Sequence, residues 1–336
     1  MLTAPTCAHF WKTCSAIGLL GLMTLGNFVA AVEKKPKSTV ADPGTTGDGN
    51  FILGPTYTPA PEMSTKEGVP KGKIHKFTME STDSKIYPGI KGPYSRQVSV
   101  YVPQQYVTGT PAPFIVVQDG GGYVKRMSTA LDNLIFEKRV PTQIAILINS
   151  GGGDSKGSQR GLEYDNLTDA YVTFIETEVL PRVAKDYSLT FTTDPEGRAS
   201  MGGSSGGACA FTMGWFRPDL YRRILTYSGT FVAQESPDNP KSPHGAWEYH
   251  ENFIPKQPTK PLRVWLQVGE RDNGFNRTTG YHNWVQANEN MAKVMKEKGY
   301  HYHYDFCKDA GHVDGKVLDQ TLPGALEWLW RGYPIK

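Results

Sequence analysis

The sequence has few cysteines, little net charge and no second long apolar run after its N-terminus, and each shortage excludes a class of protein. Only four of the 336 residues are cysteine, and two of these, Cys7 and Cys14, fall near the start. The remaining pair, Cys209 and Cys307, is too small for a disulfide scaffold. We expect two buried thiols, since a bond would require Cα atoms within about 7 Å.

The charge balance gives no sign of a polyanionic partner. A formal net charge of +3 is too small to indicate a nucleic acid or an acidic membrane surface. The histidines lack metal-ligand spacing, so we expect neither a metal nor another cofactor. The hydrophobic content of 38% and the charged content of 21% are those of a globular protein with one large α/β domain or two small ones.

The first 31 residues have the features of a secretory signal peptide. Lys12 gives a positive charge, and residues 16–29 are mostly apolar but too short to span a bilayer comfortably. Cleavage is predicted after Ala31, with an uncleaved anchor as the alternative. Residues 32–70 are rich in proline, glycine, threonine and lysine without periodicity, which indicates a linker or an N-terminal arm. A globular domain is predicted over 71–336.

Short apolar runs alternate with helical patterns along this domain. The continuous runs at 114–117 and 144–148 are typical of strands buried on both faces of a parallel sheet. The alternation predicts an α/β fold with a mostly parallel sheet and helices on both faces. The first two strands, with no helix between them, could form an antiparallel edge. Further strands are predicted at 73–80, 97–102, 197–203, 223–227, 262–268 and 301–307, and helices at 167–185, 208–215, 282–298 and 323–330.

A dense run of small residues joins a predicted strand to a predicted helix. Residues 202–206 (Gly-Gly-Ser-Ser-Gly) match G-x-S-x-G, in which a serine on a sharp strand-to-helix turn has a strained backbone that requires small neighbours. The helix N-terminus presents N–H groups that favour developing negative charge. The pattern also fits one residue later, so the motif alone leaves Ser204 and Ser205 as alternative nucleophiles.

A serine nucleophile needs a base, and the base needs an orienting carboxylate. His312 lies in a loop just past the last predicted strand, where parallel strands place catalytic groups at their carboxyl ends. Two carboxylates, Glu270 and Asp272, follow the strand at 262–268. We favour Asp272, because its loop can turn it inward while Glu270 can face solvent beside Arg271.

A tetrahedral oxyanion needs two backbone N–H donors, one from the residue after the nucleophile and one from an earlier strand-end loop. With Ser204 as nucleophile, Ser205 is the first donor. Gly121 is the candidate for the second, because glycines after a strand permit close backbone approach. Residues 235–258, with several prolines and aromatics, are predicted to cap the site. Four aromatic residues are candidates for a substrate pocket or for the core: Tyr123, Trp247, Tyr249 and Trp284.

Six segments in combination resemble the esterase family of α/β-hydrolases that contains enterochelin esterases, esterase D, feruloyl and acetyl-xylan esterases, and mycolyltransferases. The resemblance covers about residue 70 to the C-terminus. The segments are Val116-Val117-Gln118-Asp119-Gly120, Arg160-x-x-Glu163-Tyr164-Asp165, Gly197-Arg198-Ala199, Ser204-Ser205-Gly206-Gly207, Trp265-Leu266-Gln267-Val268-Gly269 and Gly311-His312.

This resemblance implies an α/β-hydrolase fold with a triad of Ser204, Asp272 and His312, and with Gly121 and Ser205 as oxyanion donors. It favours Ser204 over Ser205, because the family nucleophile stands just ahead of the pattern x-Gly-Gly. Many members have methionine where this chain has Ser205, which changes the pocket wall. In the same resemblance, Arg160 and Glu163 look like a structural ion pair near the site.

The expected activity is that of a secreted or periplasmic serine carboxylesterase that hydrolyses a carbohydrate, feruloyl or siderophore ester through an acyl-enzyme. One alternative is an acyltransferase with the same triad. Another is a non-catalytic glycan- or siderophore-binding protein, which would need neither Asp272 nor His312. The expected partner is a small-molecule or polysaccharide ester, with no nucleic acid and no stable membrane insertion after signal cleavage.

Overall fold

A computed structural model describes residues 43–154 and 156–335, and the predicted signal peptide lies outside this part of the chain. Strands recur throughout the described residues. They are β1 (Gly49–Leu53), β2 (Lys73–Glu80), β3 (Ser95–Val102), β4 (Phe114–Gln118), β5 (Ile144–Ile148), β6 (Arg198–Gly203), β7 (Arg223–Tyr227), β8 (Arg263–Gly269) and β9 (His301–Cys307).

Helices fill most connections between these strands. A π-helical turn at Ile175–Val179 joins the helix at Ala170–Phe174 to the helix at Leu180–Tyr187 without a break. No helix in the described part of the chain is both long and apolar enough to cross a membrane. The α-helices are α1 (Val124–Phe136), α2 (Gln159–Tyr164), α3 (Ala170–Phe174), α4 (Leu180–Tyr187), α5 (Ser205–Phe216), α6 (Ile254–Lys256), α7 (Trp284–Glu297) and α8 (Gly315–Trp330).

The strands form one sheet in the order β1-β9-β8-β7-β6-β4-β5-β3-β2. Neighbours are parallel, except that β3 is antiparallel to both β2 and β5. Only a short turn and a loop join β2 to β3, and such a connection suits antiparallel strands. The predicted mostly parallel α/β sheet with an antiparallel edge is therefore confirmed.

Residues of the central strands are buried on both faces of this sheet. On β4, Ile115 and Val117 pack with α1 and α8, whereas Phe114 and Val116 pack with the helical stretch of α3 and α4. Helices α5 and α7 cover the second face farther along the sheet. Coverage on both sides explains why the sequence shows continuous apolar runs instead of alternation.

The segment before residue 70, expected to be a linker or arm, contributes a strand and a contact to a helix. Strand β1 pairs with β9, but three of its five residues are exposed, so the sequence carries no apolar period there. The N–H of Ala60 donates to Asp319 O at 2.9 Å. Pro323 leaves this carbonyl without a donor inside the helix. With this carbonyl satisfied, α8 continues through Pro323. The helix begins at Gly315, and not near Pro323 as predicted.

Candidate active site

Ser204 occupies the turn between β6 and α5. Its backbone has φ 57° and ψ −130°, a strained conformation for a residue with a side chain. The neighbours must be small, because a Cβ on Gly202 would lie 2.3 Å from the carbonyl carbon of Gly206 and one on Gly203 would lie 2.5 Å from Tyr123 Oη. The turn therefore places the serine hydroxyl beside the N-terminus of α5, as the motif predicted.

A continuous chain of hydrogen bonds joins Ser204, His312 and Asp272. His312 Nε2 lies 2.9 Å from Ser204 Oγ, and His312 Nδ1 lies 2.5 Å from Asp272 Oδ1. An ionised carboxylate only accepts hydrogen bonds, so Nδ1 carries the hydrogen and Nε2 is free to accept the serine proton. Asp272 is fully buried, whereas the His312 side chain is 26% exposed.

The sheet topology brings these residues together. Asp272 follows β8 and His312 follows β9, and these two strands are parallel neighbours whose carboxyl ends meet at one edge. The N–H of Asn273 donates to Asp272 Oδ1 at 2.7 Å. The N–H of Val313 donates to Ser228 Oγ at 2.9 Å, which fixes the loop that carries the histidine.

The alternative residues from the sequence lie elsewhere. Ser205 is fully buried, and its Oγ accepts a hydrogen bond from Gln234 Nε2 at 3.3 Å instead of contacting His312. Glu270 accepts from Lys308 Nζ and from the N–H of Asp309, both at 2.9 Å. Neither alternative contacts the histidine.

The two expected oxyanion donors differ in their present partners. The N–H of Ser205, at the first position of α5, has no acceptor within the described part of the chain, as is usual at a helix start. The N–H of Gly121 donates to Asn149 Oδ1 at 2.8 Å. Asn149 directly follows β5, beside the carboxyl end of β4. A carbonyl oxygen that used the Gly121 N–H would have to displace this side chain.

Thr230, a residue with no predicted role, contacts the nucleophile, and Trp284 contacts Thr230. Thr230 Oγ1 lies 3.3 Å from Ser204 Oγ, and its N–H donates to Ser204 O at 3.0 Å. The indole Nε1–H of Trp284 donates to Thr230 Oγ1 at 3.1 Å. The Trp284 ring also meets the His312 ring edge-on, with centroids 6.1 Å apart. A lone threonine after a strand carries no sequence signal that separates it from many others.

Asp165 lies beneath Ser205, at the end of α2. Gln234 Nε2 donates to Asp165 Oδ2 at 3.0 Å, and Asp165 Oδ1 is buried without a partner among the described residues. Burial raises the pKa of Asp165 to about 6, against the lowering effect of hydrogen bonds from Ser205 and Gln234. This pKa lies near the physiological range, and the carboxyl lies beside Ser205, the candidate oxyanion donor.

Arg160 and Glu163 do not pair with each other, contrary to the expectation from the resemblance. Arg160 binds Asp119 at 2.7 Å and Asp154 at 2.6 Å. Glu163 is paired with the buried Arg96 at 2.8 Å. The two side chains diverge because each reaches a different strand end. Arg160 therefore ties α2 to the loop after β4.

A cavity of about 450 Å³ opens beside Ser204 and His312. Its wall mixes ionic and apolar side chains. All three guanidinium nitrogens of Arg160 bond to its two aspartates, whereas in the described part of the chain Arg126 bonds Asp319 through Nε and Nη2 only. The other lining residues are Asp119, Gly122, Tyr123, Asp154, Gly203, Val313, Gly315 and Leu318.

Of the four candidate aromatics, only Tyr123 lines this cavity. Tyr249 is fully buried and packs on Phe211, with ring centroids 4.8 Å apart. Trp247 meets Tyr281 edge-on at 5.5 Å. No residue of 235–258, the predicted cap, lines the cavity among the described residues. Tyr249 of this segment instead packs against Phe211 and Trp215 of α5, where its burial removes apolar surface from water.

One group of side chains could bring three metal-ligand atoms together in the described part of the chain. The ligand atoms of His244, Glu248 and Glu251 lie within 4.8 Å of one another. Glu248 already accepts from Asn252 Nδ2 and from the His244 N–H, and His244 stacks on Tyr281 at 3.7 Å. These contacts account for the cluster without an ion, and none of its residues lines the cavity beside Ser204.

Comparisons with known proteins agree on one family and one fold. The family model described as "Putative esterase" matches residues 93–329. The crystal structure of the enterobactin esterase from Shigella flexneri has 19% identity and a TM-score of 0.57, over 78% of this chain and 61% of that one. A ferulic acid esterase has 19% identity and a TM-score of 0.59, over 79% and 100%. Another, from the anaerobic fungus Anaeromyces mucronatus, has 15% identity and a TM-score of 0.59, over 83% and 98%.

These likenesses show the α/β-hydrolase fold. The chain spans about 61% of the length of the enterobactin esterase. Among curated protein sequences, none is significantly similar to the chain. The family match covers more than half of the chain and includes Ser204, Asp272 and His312. The chain therefore belongs to the esterase family with that description.

Proposed function

We propose that the protein is a serine carboxylesterase that works through an acyl-enzyme, with Ser204 as nucleophile, His312 as base and Asp272 as the orienting carboxylate. The observation that carries the proposal is the unbroken chain of hydrogen bonds from Ser204 Oγ through both ring nitrogens of His312 to the buried carboxylate. This order of contacts is what a neutral hydroxyl requires to become a nucleophile.

In the proposed reaction, His312 Nε2 takes the Ser204 proton as Oγ bonds to the ester carbonyl carbon. The resulting oxyanion is stabilised by the N–H of Ser205 and by that of Gly121, once Asn149 gives up the latter. The alcohol then leaves with the proton from His312. In the second half of the reaction, His312 takes a proton from water as the water attacks the acyl-enzyme. This attack releases the acid and restores Ser204.

For the substrate, we propose an ester of the carbohydrate, feruloyl or siderophore type. Two relatives are named as ferulic acid esterases and one as an enterobactin esterase. The cavity supports a substrate that carries polar groups, because Arg126, Asp154 and Arg160 border it beside the apolar Val313 and Leu318. A secreted or periplasmic location, proposed from the signal-like N-terminus, suits polymer or siderophore esters that occur outside the cytoplasm.

The test compares Ser204→Ala with Ser205→Ala in the hydrolysis of short-chain nitrophenyl esters. We expect the first variant to lose activity by at least 10³-fold. The second should keep most of it, because Ser205 contributes its N–H and not its hydroxyl. A serine-directed phosphonate should label the parent once, at Ser204, as read by peptide mass spectrometry. Full activity of Ser204→Ala would refute the proposal.

An acyltransferase with the same triad is the second candidate. The exposed face of His312 supports it, because an acceptor alcohol could reach the base there as well as water. Adding glycerol or glucose to the ester assay separates the two activities. If acylated alcohol is the main product, the protein is a transferase. If free acid remains the main product, it is a hydrolase.

A further inference from the structure

We infer that Thr230 is a further catalytic residue, whose hydroxyl donates a hydrogen bond to Ser204 Oγ, and that Trp284 is the positioning residue that holds this hydroxyl in its donating orientation. The inference rests on the proposed function of Ser204. It adds a second hydrogen-bond partner at Ser204 Oγ, besides His312.

The donor chemistry fixes the direction of each bond. The indole Nε1–H of Trp284 can only donate, so Thr230 Oγ1 accepts at 3.1 Å. Thr230 is 1% exposed, and the one other group within hydrogen-bond distance of its hydroxyl in the described structure is Ser204 Oγ, at 3.3 Å. A buried hydroxyl hydrogen is costly to leave unpaired. Thr230 therefore donates to Ser204 Oγ.

The same reasoning then fixes the serine. With one lone pair of Oγ engaged by Thr230, the Ser204 hydrogen points to His312 Nε2, 2.9 Å away. The backbone makes this arrangement rigid, because the N–H of Thr230 donates to Ser204 O at 3.0 Å. Thr230 and Ser204 are thus joined both by side chains and by main chain, and the nucleophile is set before substrate arrives.

The Thr230 hydroxyl matters most when Oγ carries negative charge. In deacylation, water bonds to the carbonyl carbon while His312 takes its proton. The bond between that carbon and Oγ then breaks, its electron pair goes to Oγ, and His312 returns the proton. A donor already aimed at Oγ stabilises the transition state of this departure.

The test is a double-mutant cycle on steady-state hydrolysis of nitrophenyl acetate, with Thr230→Val, Thr230→Ser, Trp284→Phe and Thr230→Val combined with Trp284→Phe. Thr230→Val should lower kcat on the order of tenfold with KM nearly unchanged, since a hydrogen bond to a charged atom is lost. Thr230→Ser, which keeps the hydroxyl, should stay within about threefold of the parent, an estimate from the same bond.

The cycle separates the proposed role from packing. Trp284→Phe should lower kcat when Thr230 is present but add little to Thr230→Val, because the indole N–H acts only through that hydroxyl. Effects that multiply in the double variant would overturn the inference. Thr226→Val is the matched control, since Thr226 is equally buried on β7 and its hydroxyl donates to Trp265 O at 3.3 Å. It should leave kcat unchanged.

Two further outcomes keep the test decisive. If Thr230→Val does not fold, Trp284→Phe alone carries the prediction, and an unchanged kcat in that folded variant would overturn it. The rate of phosphonate labelling of Ser204 should fall in parallel with kcat, because it reports the reactivity of Oγ without the natural substrate. An active Ser204→Ala would refute the proposed function itself, whereas an inactive Ser204→Ala with a fully active Thr230→Val would refute only the role of Thr230.

Discussion

Replacing Asp272 by asparagine removes one buried negative charge from the site and little else. Asp272 Oδ1 accepts from both His312 Nδ1–H and the N–H of Asn273. The amide oxygen of an asparagine can keep both bonds, so the histidine can keep its tautomer. The amide nitrogen would then take the place of Oδ2, which is buried without a partner in the described structure. The loss of activity therefore measures the charge.

The magnitude follows from the geometry. When His312 takes the serine proton, the imidazolium and the carboxylate attract across a bond of 2.5 Å between Nδ1 and Oδ1, with charge centres roughly 4 Å apart. At an effective dielectric constant of about 20, that attraction amounts to about 4 kcal/mol. Its loss raises the activation barrier by the same amount, which lowers kcat by about 10³-fold.

The assay is steady-state hydrolysis of a nitrophenyl ester, with Glu270→Gln as the matched control. Glu270 is the other carboxylate after β8, but it binds Lys308 and the Asp309 N–H. We expect Asp272→Asn to lose about 10³-fold in kcat and Glu270→Gln to keep its activity. A loss below tenfold in Asp272→Asn, or a collapse in Glu270→Gln, would refute the assignment of Asp272 as the carboxylate that stabilises His312.

Three predictions concern stability. Glu163→Gln should lower the free energy of unfolding by about 3–5 kcal/mol in urea, since Arg96 stays buried without its partner; a loss under about 1 kcal/mol would contradict this. The pKa of Asp165 is raised to about 6. The stability that this carboxyl contributes is therefore full below about pH 4 and is lost as the pH rises through 6. The free energy of unfolding of Asp165→Asn should exceed that of the parent by up to about 3 kcal/mol at pH 8 but not at pH 4. An equal gain at both pH values would show that the carboxyl ionises normally. Gly202→Ala should lower the melting temperature and abolish activity, because its Cβ would meet Gly206 at 2.3 Å; a normal melting temperature would show that the turn can relax.

The sequence could predict the strands that are buried on both faces, because their apolar runs are continuous. The continuous runs at 114–117 and 144–148 fall in β4 and β5 of the structure. Strand β1 could not be found in this way. Phe51 and Ile52 are 38% and 71% exposed, and what holds the strand is backbone pairing with β9, which leaves no trace in side-chain type.

For the site, residue type and position after a predicted strand could narrow the candidates to a few residues. These two criteria could not decide between residues of the same type. Ser204 and Ser205 fit the same pattern, and only the direction of each side chain separates them: one faces His312 and the other faces Gln234. Thr230 and Asn149 lay beyond prediction, because their positions depend on how loops after different strands meet. The prediction that Cys209 and Cys307 are buried thiols is confirmed, because both are free and buried.

The ion pairs of Arg160 and Glu163 show that closeness in sequence does not identify the partner of a charged side chain in this protein. Arg160 and Glu163 are one helical turn apart and could pair on an exposed helix. Both are buried, however, and a buried charge must be neutralised by whatever charge packs against it. Asp119, which directly precedes the glycines that include the proposed oxyanion donor, pairs with Arg160. The pairing that the sequence could not predict therefore anchors the loop on which the proposed oxyanion donor depends.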